Sequence, residues 1–276
     1  MRKHWDFRTD IPWDKFDPSQ VDDDLLKVVK AAAMVEANAP DYADYLCNVF
    51  YDDPEFQAEA RHWGLVEEVQ HGESLGHWAM VADPSFDYEA ALRRFREVYK
   101  IDTSVKESLR GSRSAELVTR CMVEVGTSSF YSALGASINE PALKAICQHI
   151  VADELRHYKM FYTNLRRYVD REHPSKLKRL RVAVGRIVET EDDELAYAYY
   201  AANTDGSQPY DRAFYSREYL GRAYRFYKPN QIDRAVGMIF KACGLSPQSK
   251  IFDWTRRAAW WFVDWRSRRM LKPAAA

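Results

Sequence analysis

The sequence predicts an all-α protein, and three observations favour that class. Glycine and proline are sparse, with 11 of each among 276 residues, about 4% where globular proteins average about 7% and 5%. No stretch of convincing length alternates apolar and polar residues as a half-buried strand does. Four long segments instead have apolar residues at helical spacing, and each carries a glutamate inside its apolar stripe. We therefore expect a four-helix bundle with additional helices.

The bundle begins after an irregular, aromatic lead-in at residues 1–18. Ser19 is the expected N-cap of the first long helix, and Asp53 with Pro54 has the N-cap and N1 pattern that begins the second. Asn139 and Pro141 begin the fourth in the same way. The four long helices are expected at about 20–51, 54–81, 112–137 and 141–170, with a shorter helix at 87–100.

The rest of the chain divides at its clearest turn, TDGSQP at 204–209. One helix before the turn is expected at 175–204, and shorter helices after it at about 209–226, 230–242 and 248–271. The bundle domain is thus predicted at 19–205, and residues 206–276 are predicted as a helical C-terminal extension.

The glutamates in the four stripes follow a repeated pattern. Both halves of the bundle have a single Glu, about 30 residues, and then Glu-x-x-His. Residues three apart on a helix are neighbours, so each Glu-x-x-His pair can direct two ligand atoms at one centre. Dinuclear iron and manganese carboxylate bundles use this constellation. The six predicted metal ligands are Glu36, Glu68, His71, Glu124, Glu154 and His157.

Electrostatics supports a metal centre over a metal-free core. Four buried, unpaired carboxylates would each cost several kcal/mol, whereas two divalent cations balance their charge. Carboxylate with imidazole suits iron or manganese, and zinc accepts the same residue types. The alternative is a core of Glu–Arg pairs, but the candidate partners Arg120 and Arg156 lie off the stripes.

The motifs resemble those of the soluble acyl–acyl carrier protein desaturases, in the ferritin-like di-iron carboxylate superfamily. The most specific windows are EEVQHGESL (67–75) and ICQHIVADELRH (146–157). VEANAPDY (35–42) and VEVGTSS (123–129) are similar to the segments around the other two carboxylates. The resemblance covers roughly residues 10–170 and implies a ferritin-like bundle whose ligands are the six residues above.

The resemblance also implies roles for residues around the ligands. Thr127 would lie beside the dioxygen site and deliver protons. Asp153 would accept the ring N–H of His71 and belong to an electron path that ends at an N-terminal Trp, here Trp13, with Trp5 as the second choice. Glu67 either does the same for His157 or is a solvated neighbour. The sequence departs from the family after Thr127 and after His157, and candidates for a substrate cavity there are Ser128, Tyr131 and Tyr158.

The implied activity is the dioxygen-dependent introduction of a double bond into a carrier-bound acyl chain. Its cofactor would be two iron ions, with manganese or a mixed manganese and iron pair as alternatives. The expected partners are acyl carrier protein, a ferredoxin-type electron donor and a second copy of the chain in a homodimer. A di-iron monooxygenase acting on another small molecule is the main alternative, and an iron-binding ferroxidase without organic substrate is a weaker one.

The composition predicts which partners the protein lacks and where in the cell it works. The 40 basic and 41 acidic residues nearly cancel, which argues against a nucleic-acid binder. No apolar run is long enough for a transmembrane helix, and the N-terminus lacks the apolar core of a signal peptide. Four widely spaced cysteines are expected to be reduced and mostly buried, which predicts a cytoplasmic protein.

The predicted last helix is basic and aromatic. Residues 248–272 contain seven Lys or Arg and two Asp, a local charge of 7 − 2 = +5, and they are interleaved with Trp254, Trp260, Trp261, Phe262 and Trp265. Such a helix fits an acyl carrier protein, a ferredoxin or an anionic membrane surface. We favour the simpler interpretation, in which the aromatic side chains pack on the bundle and the arginines face solvent.

Overall fold

The computed structural model describes residues 4–189 and 193–270, and within these ranges every regular element is helical. The prediction of an all-α protein is confirmed. A π-helical segment, Trp63–Glu67, joins α3 to α4, and two 3-10 turns lie in the N-terminal lead-in. The helices are α1 Asp23–Glu36, α2 Ala39–Val49, α3 Pro54–His62, α4 Glu68–Ala82, α5 Tyr88–Val98, α6 Arg113–Ser137, α7 Pro141–Glu172, α8 Lys176–Glu189, α9 Asp193–Asn203, α10 Arg212–Tyr224, α11 Pro229–Cys243 and α12 Lys250–Met270.

Two antiparallel helix pairs form the centre of the molecule. In the pair α6 and α7, the backbone N–H of Ser114 donates to Glu172 at one end, and Gly135 lies against Cys147 at the other. In the pair α1 and α4, Lys30 donates to Asp83 at 2.7 Å, and Ala37 lies against Gly72. A short link joins α6 to α7, whereas α2, α3 and the π-helical segment lie between α1 and α4 in the chain.

The first predicted long helix is interrupted. Asp22, not Ser19, caps α1, and the helix ends at Glu36 instead of continuing to 51. α2 starts at Ala39, which places Pro40 in its first turn, where a missing backbone N–H leaves no hydrogen bond unmade. The break follows directly after a predicted metal ligand.

Two glycines of the second long segment explain why the chain can pass so closely at this break. A Cβ on Gly72 would lie 2.7 Å from the backbone nitrogen of Ala37, and one on Gly64 would lie 2.9 Å from the carbonyl oxygen of Ala39. Gly64 belongs to the π-helical segment, so the segment predicted at 54–81 is helical throughout but not regular. The widened π turn comes directly before Glu68, and π turns are frequent at functional sites.

The other helices agree with the sequence in kind and differ at their ends. Asp53 caps α3 with Pro54 at N1, as predicted, whereas Glu140 replaces the expected Asn139 as the N-cap of α7. Helices α8 and α9 occupy most of the segment predicted as one helix at 175–204, and residues 190–192 lie outside the described ranges. All four cysteines are buried and free, as expected. Within the described ranges, no helix combines the length and apolar character needed to cross a bilayer.

Apolar side chains fill the interior on both sides of the central acids. One cluster joins the lead-in, α1, α4, α5, α9 and α10 to the meeting ends of α6 and α7. The second joins α2, α3, α8 and α11 to the far ends of α6 and α7. The predicted ligands on α6 and α7 lie between these two clusters, so apolar packing isolates them from bulk water.

Candidate metal centre

The six predicted ligands meet in the interior as two overlapping groups. The first contains Glu36, Glu68, His71 and Glu154, and the second contains Glu68, Glu124, Glu154 and His157. In each group the ligand atoms lie within 4.8 Å of one another. No member is more than 6% exposed. Glu68 and Glu154 belong to both groups, as expected of carboxylates between two adjacent ions.

The first group is arranged around one nitrogen of His71. Its Nδ1 lies 3.2 Å from Glu68 Oε2, 3.3 Å from Glu154 Oε1 and 3.9 Å from Glu36 Oε2. The three carboxylates come from three different helices, so the Nδ1 atom of His71 and the acidic oxygens face a common centre.

The second group repeats this arrangement around His157. Its Nδ1 lies 3.0 Å from Glu68 Oε1, 3.5 Å from Glu124 Oε2 and 3.8 Å from Glu154 Oε1. The same ring nitrogen thus faces the carboxylates in both groups. The internal duplication seen in the sequence is therefore also a duplication of geometry.

The hydrogen bonding fits a metal ion in these groups. Four polar atoms are buried without a hydrogen-bond partner among the described residues: both carboxylate oxygens of Glu124, one of Glu154 and the Nδ1 of His157. The 3.0 Å approach of His157 Nδ1 to Glu68 is therefore close but not aligned as a hydrogen bond. Buried polar atoms left unpaired are costly, and a cation would satisfy all of them at once. These groups could hold metal ions.

The pKa values of these residues in the absence of ions also indicate that positive charge stabilises the site. Burial, followed by repulsion from neighbouring carboxylates, raises the pKa of Glu36 and of Glu124 well above the usual range. Burial would also raise the pKa of Glu68, but the two histidines outweigh it and lower that pKa well below its usual value. Burial opposes a charged imidazole, yet the surrounding acids raise the pKa of His71 and His157 well above normal. Protons thus supply the positive charge that ions would otherwise supply.

The outer nitrogen of each histidine meets a further carboxylate. His71 Nε2 lies 3.1 Å from Asp153 Oδ2, and His157 Nε2 lies 2.7 Å from Glu67 Oε2. Such a carboxylate fixes the ring orientation and tautomer, leaving Nδ1 free to bind metal. Glu67 is therefore in contact with His157 and is not only a solvated neighbour. Arg156 links the two carboxylates, at 2.5 Å from Asp153 and 3.1 Å from Glu67.

Asp153 also meets a tryptophan, but a different one from the first choice made on sequence. The indole N–H of Trp5 donates to Asp153 Oδ2 at 2.8 Å. Trp13 donates to the carbonyl of Phe7 instead, so its predicted contact with the site is wrong. Burial would raise the pKa of Asp153, but hydrogen bonds from His71 and Trp5 and the His71 charge lower it to about 2.

Two hydroxyl groups contact the carboxylates of the centre. Thr127 donates to Glu154 and is itself partly exposed, so it connects a shared carboxylate with the surface. Tyr131 donates to Glu36 Oε1 at 2.6 Å and is fully buried. The other proposed cavity residues, Ser128 and Tyr158, donate to the backbone carbonyls of Val125 and Met238.

One residue near the centre was not singled out from the sequence. The ring of His149 stacks on Trp5, with centroids 4.7 Å apart and planes at 10°. His149 precedes Asp153 by four residues on α7, and this spacing on one helix face was the available signal. The chain therefore packs His149, Trp5, Asp153 and His71 in one contiguous row.

Comparisons with known proteins give no relative on which to base a family assignment. A scan against profiles of known protein families finds no match. A search of curated proteins also finds no match. The resemblance to acyl carrier protein desaturases therefore depends on the motifs quoted above.

Proposed function

We propose that the protein is a dioxygen-dependent oxidoreductase with two iron ions in a ferritin-like bundle. The observation that supports this best is the pair of overlapping groups, which share Glu68 and Glu154 and each contain one histidine Nδ1. Manganese, or one ion of each metal, would find the same ligand types. Two iron ions held there would supply the redox chemistry that activates dioxygen.

The residues of this chain would perform the remaining tasks. Glu36 and Glu124 would each bind one ion, and Glu68 and Glu154 would lie between the two ions. With ions bound, Asp153 and Glu67 would accept the Nε2 protons of His71 and His157, and each Nδ1 would then face its ion unprotonated. Apolar packing around the ligands excludes bulk water.

Thr127 and Tyr131 are the groups best placed to handle protons. The Thr127 hydroxyl contacts Glu154 and reaches towards the surface, so it can pass a proton from solvent to that carboxylate. The Tyr131 hydroxyl donates a hydrogen bond to Glu36 Oε1, and burial and the Glu36 charge raise the pKa of Tyr131 well above normal. Tyr131 thus remains a neutral donor that orients one terminal ligand.

The motif resemblance favours an acyl chain on a carrier protein as substrate and a ferredoxin-type donor for electrons. In desaturation, two hydrogen atoms leave adjacent carbons, and dioxygen, two electrons and two protons are consumed to form two waters. The alternative is a monooxygenase, in which the same inputs give one alcohol and one water. The departures from the family motif after Thr127 and after His157 favour this alternative, because those positions are the candidates for the substrate cavity.

One experiment tests both the centre and the reaction. The chain is loaded anaerobically with ferrous iron, reduced, and exposed to air with a panel of acyl carrier substrates, and the products are analysed by mass spectrometry. A product lighter by two hydrogen atoms supports desaturation, and one heavier by an oxygen atom supports the monooxygenase. If iron loads fully but no acyl substrate changes, the acyl substrate is excluded and the metal centre remains.

Matched variants separate the centre from the fold. Glu154→Ala and His157→Ala should each reduce iron binding. Asp170→Asn, an exposed acid on the same helix, should leave iron binding unchanged. Full iron stoichiometry in Glu154→Ala would refute the proposed centre.

A further inference from the structure

The last helix, α12, has one aromatic face that no other described part of the chain covers. One side of α12 packs Phe252, Trp260 and Val263 against the α11 side chains Ile232, Val236 and Phe240. The opposite side carries Trp254, Trp261 and Trp265, which are 76%, 64% and 40% exposed. The expectation that the aromatic side chains of this helix all pack on the bundle is therefore wrong.

The exposed tryptophans form a stripe along the helix axis. They are separated by seven and four residues, which places them on one face over about 16 Å. Trp261 and Trp265 stack with centroids 6.1 Å apart. A face this apolar is rarely left in water on one helix without a partner surface.

Cations flank the same stripe on its exposed side. Lys250, Arg257, Arg268 and Arg269 are exposed on this face. Two acids lie at the edge of this face: Asp253 pairs with Arg256 at 3.0 Å, and Asp264 pairs with Arg268 at 2.9 Å. The excess positive charge therefore comes from Lys250, Arg257 and Arg269. Beside Trp254, a pocket of about 210 Å³ is lined by Lys250, Asp253, Trp254 and Arg257. The surface therefore combines indole rings with excess positive charge.

We propose that this face of α12 binds an anionic lipid membrane. Indole rings prefer the boundary between headgroups and acyl chains, and Lys and Arg beside them attract anionic lipids. Because α12 is not apolar enough to cross a bilayer, it would lie along the membrane plane. This binding does not depend on the metal centre.

Vesicle sedimentation of the full chain tests the proposal. The protein should sediment with vesicles of equal phosphatidylglycerol and phosphatidylcholine, and its tryptophan emission should shift to shorter wavelength. Binding to phosphatidylcholine alone should be at least tenfold weaker, and salt should weaken binding to the anionic vesicles. No sedimentation with anionic vesicles at low salt, or equal binding to both vesicles, would overturn the proposal.

Two double variants and matched controls identify the surface. Trp254→Ser with Trp261→Ser should weaken vesicle binding at least tenfold. Lys250→Gln with Arg257→Gln should weaken it about thirtyfold, because each cation near an anionic membrane contributes about a fivefold gain.

The controls are Leu109→Ser and Lys106→Gln, which remove an exposed apolar side chain and an exposed cation outside α12. Circular dichroism checks that every variant is folded. Unchanged binding in either double variant would overturn the proposal. So would a dimer that the tryptophan variants dissociate, because the stripe would then join two copies of the chain.

Discussion

The two halves of the candidate centre are alike in their ligands and different in what surrounds them. Each half has one terminal glutamate, one histidine Nδ1 and the two shared carboxylates. Around the first half, Asp153 is buried under Trp5, and Tyr131 donates to Glu36. Around the second half, Glu67 is 13% exposed, and Glu124 accepts no hydrogen bond. The duplicated ligands would give both groups the same choice of metal ion. The unequal surroundings predict that the two groups differ in metal affinity.

The largest expected difference is between a ligand that belongs to both groups and a ligand that belongs to only one. Glu154→Ala should remove both ions, because Glu154 belongs to both groups, whereas Glu124→Ala should remove only the ion of the second group. Iron per chain, measured by elemental analysis after anaerobic loading, checks this. Equal stoichiometry in the two variants would contradict the shared role of Glu154.

Asp153 and Glu67, the carboxylates behind the two histidines, should contribute unequally to metal affinity. Asp153→Asn should lower metal affinity by about 10–100-fold, the usual effect of removing a carboxylate behind a ligating histidine. Glu67→Gln should cost less, because Glu67 is partly exposed and water can replace its oxygen. Competition with a chelator gives both affinities. A greater loss in Glu67→Gln would reverse the proposed difference between the halves.

A methyl group added beside the first ligand group should destabilise the fold more than one added beside the second. Gly72→Ala places a Cβ 2.7 Å from the backbone of Ala37. Overpacking of about 1–3 kcal/mol would lower the melting temperature by roughly 2–5 °C in a chain of this length. The control is Gly126→Ala on α6, where a Cβ meets nothing within 4 Å, and a helical alanine adds stability. Thermal unfolding of both variants measures the difference, and an unchanged melting temperature in Gly72→Ala would contradict the close approach.

The smallest expected effect concerns the aromatic lead-in. Trp5→Phe removes the hydrogen bond to Asp153 and should lower metal affinity less than tenfold. Trp13→Phe should leave affinity unchanged, because Trp13 bonds to the carbonyl of Phe7. The same chelator competition applies. An effect of Trp13→Phe as large as that of Trp5→Phe would show that the lead-in acts only through general packing.

The ligand set could be predicted because helix geometry is local. A Glu and a His three residues apart share a face wherever the helix lies, so spacing alone brings Glu68 with His71 and Glu154 with His157. The same spacing recurs in both halves of the predicted bundle, and a single Glu about 30 residues before each Glu-x-x-His adds Glu36 and Glu124. The structure places all six side chains together, as the spacing predicts.

Other features depend on contacts that spacing does not encode. The break after Glu36 and the π turn before Glu68 depend on Gly72 and Gly64, which let backbones approach from another part of the chain. Trp5 and Trp13 both lie in an irregular segment, so periodicity could not choose between them. In α12, aromatic residues occupy both faces, and only the position of α11 decides which face is covered.

The sharing of Glu68 and Glu154 also bears on how the molecule holds together. Glu68 comes from the pair α1 and α4 and Glu154 from the pair α6 and α7, so an ion in either group would be held by both pairs. Such ions would cross-link two residues that are 86 positions apart in the chain, a span comparable to that of a long disulfide loop. Amide hydrogens of α4 and α7 should then exchange more slowly as metal is added. The metal concentration would therefore determine how often the pair α1 and α4 separates from the pair α6 and α7.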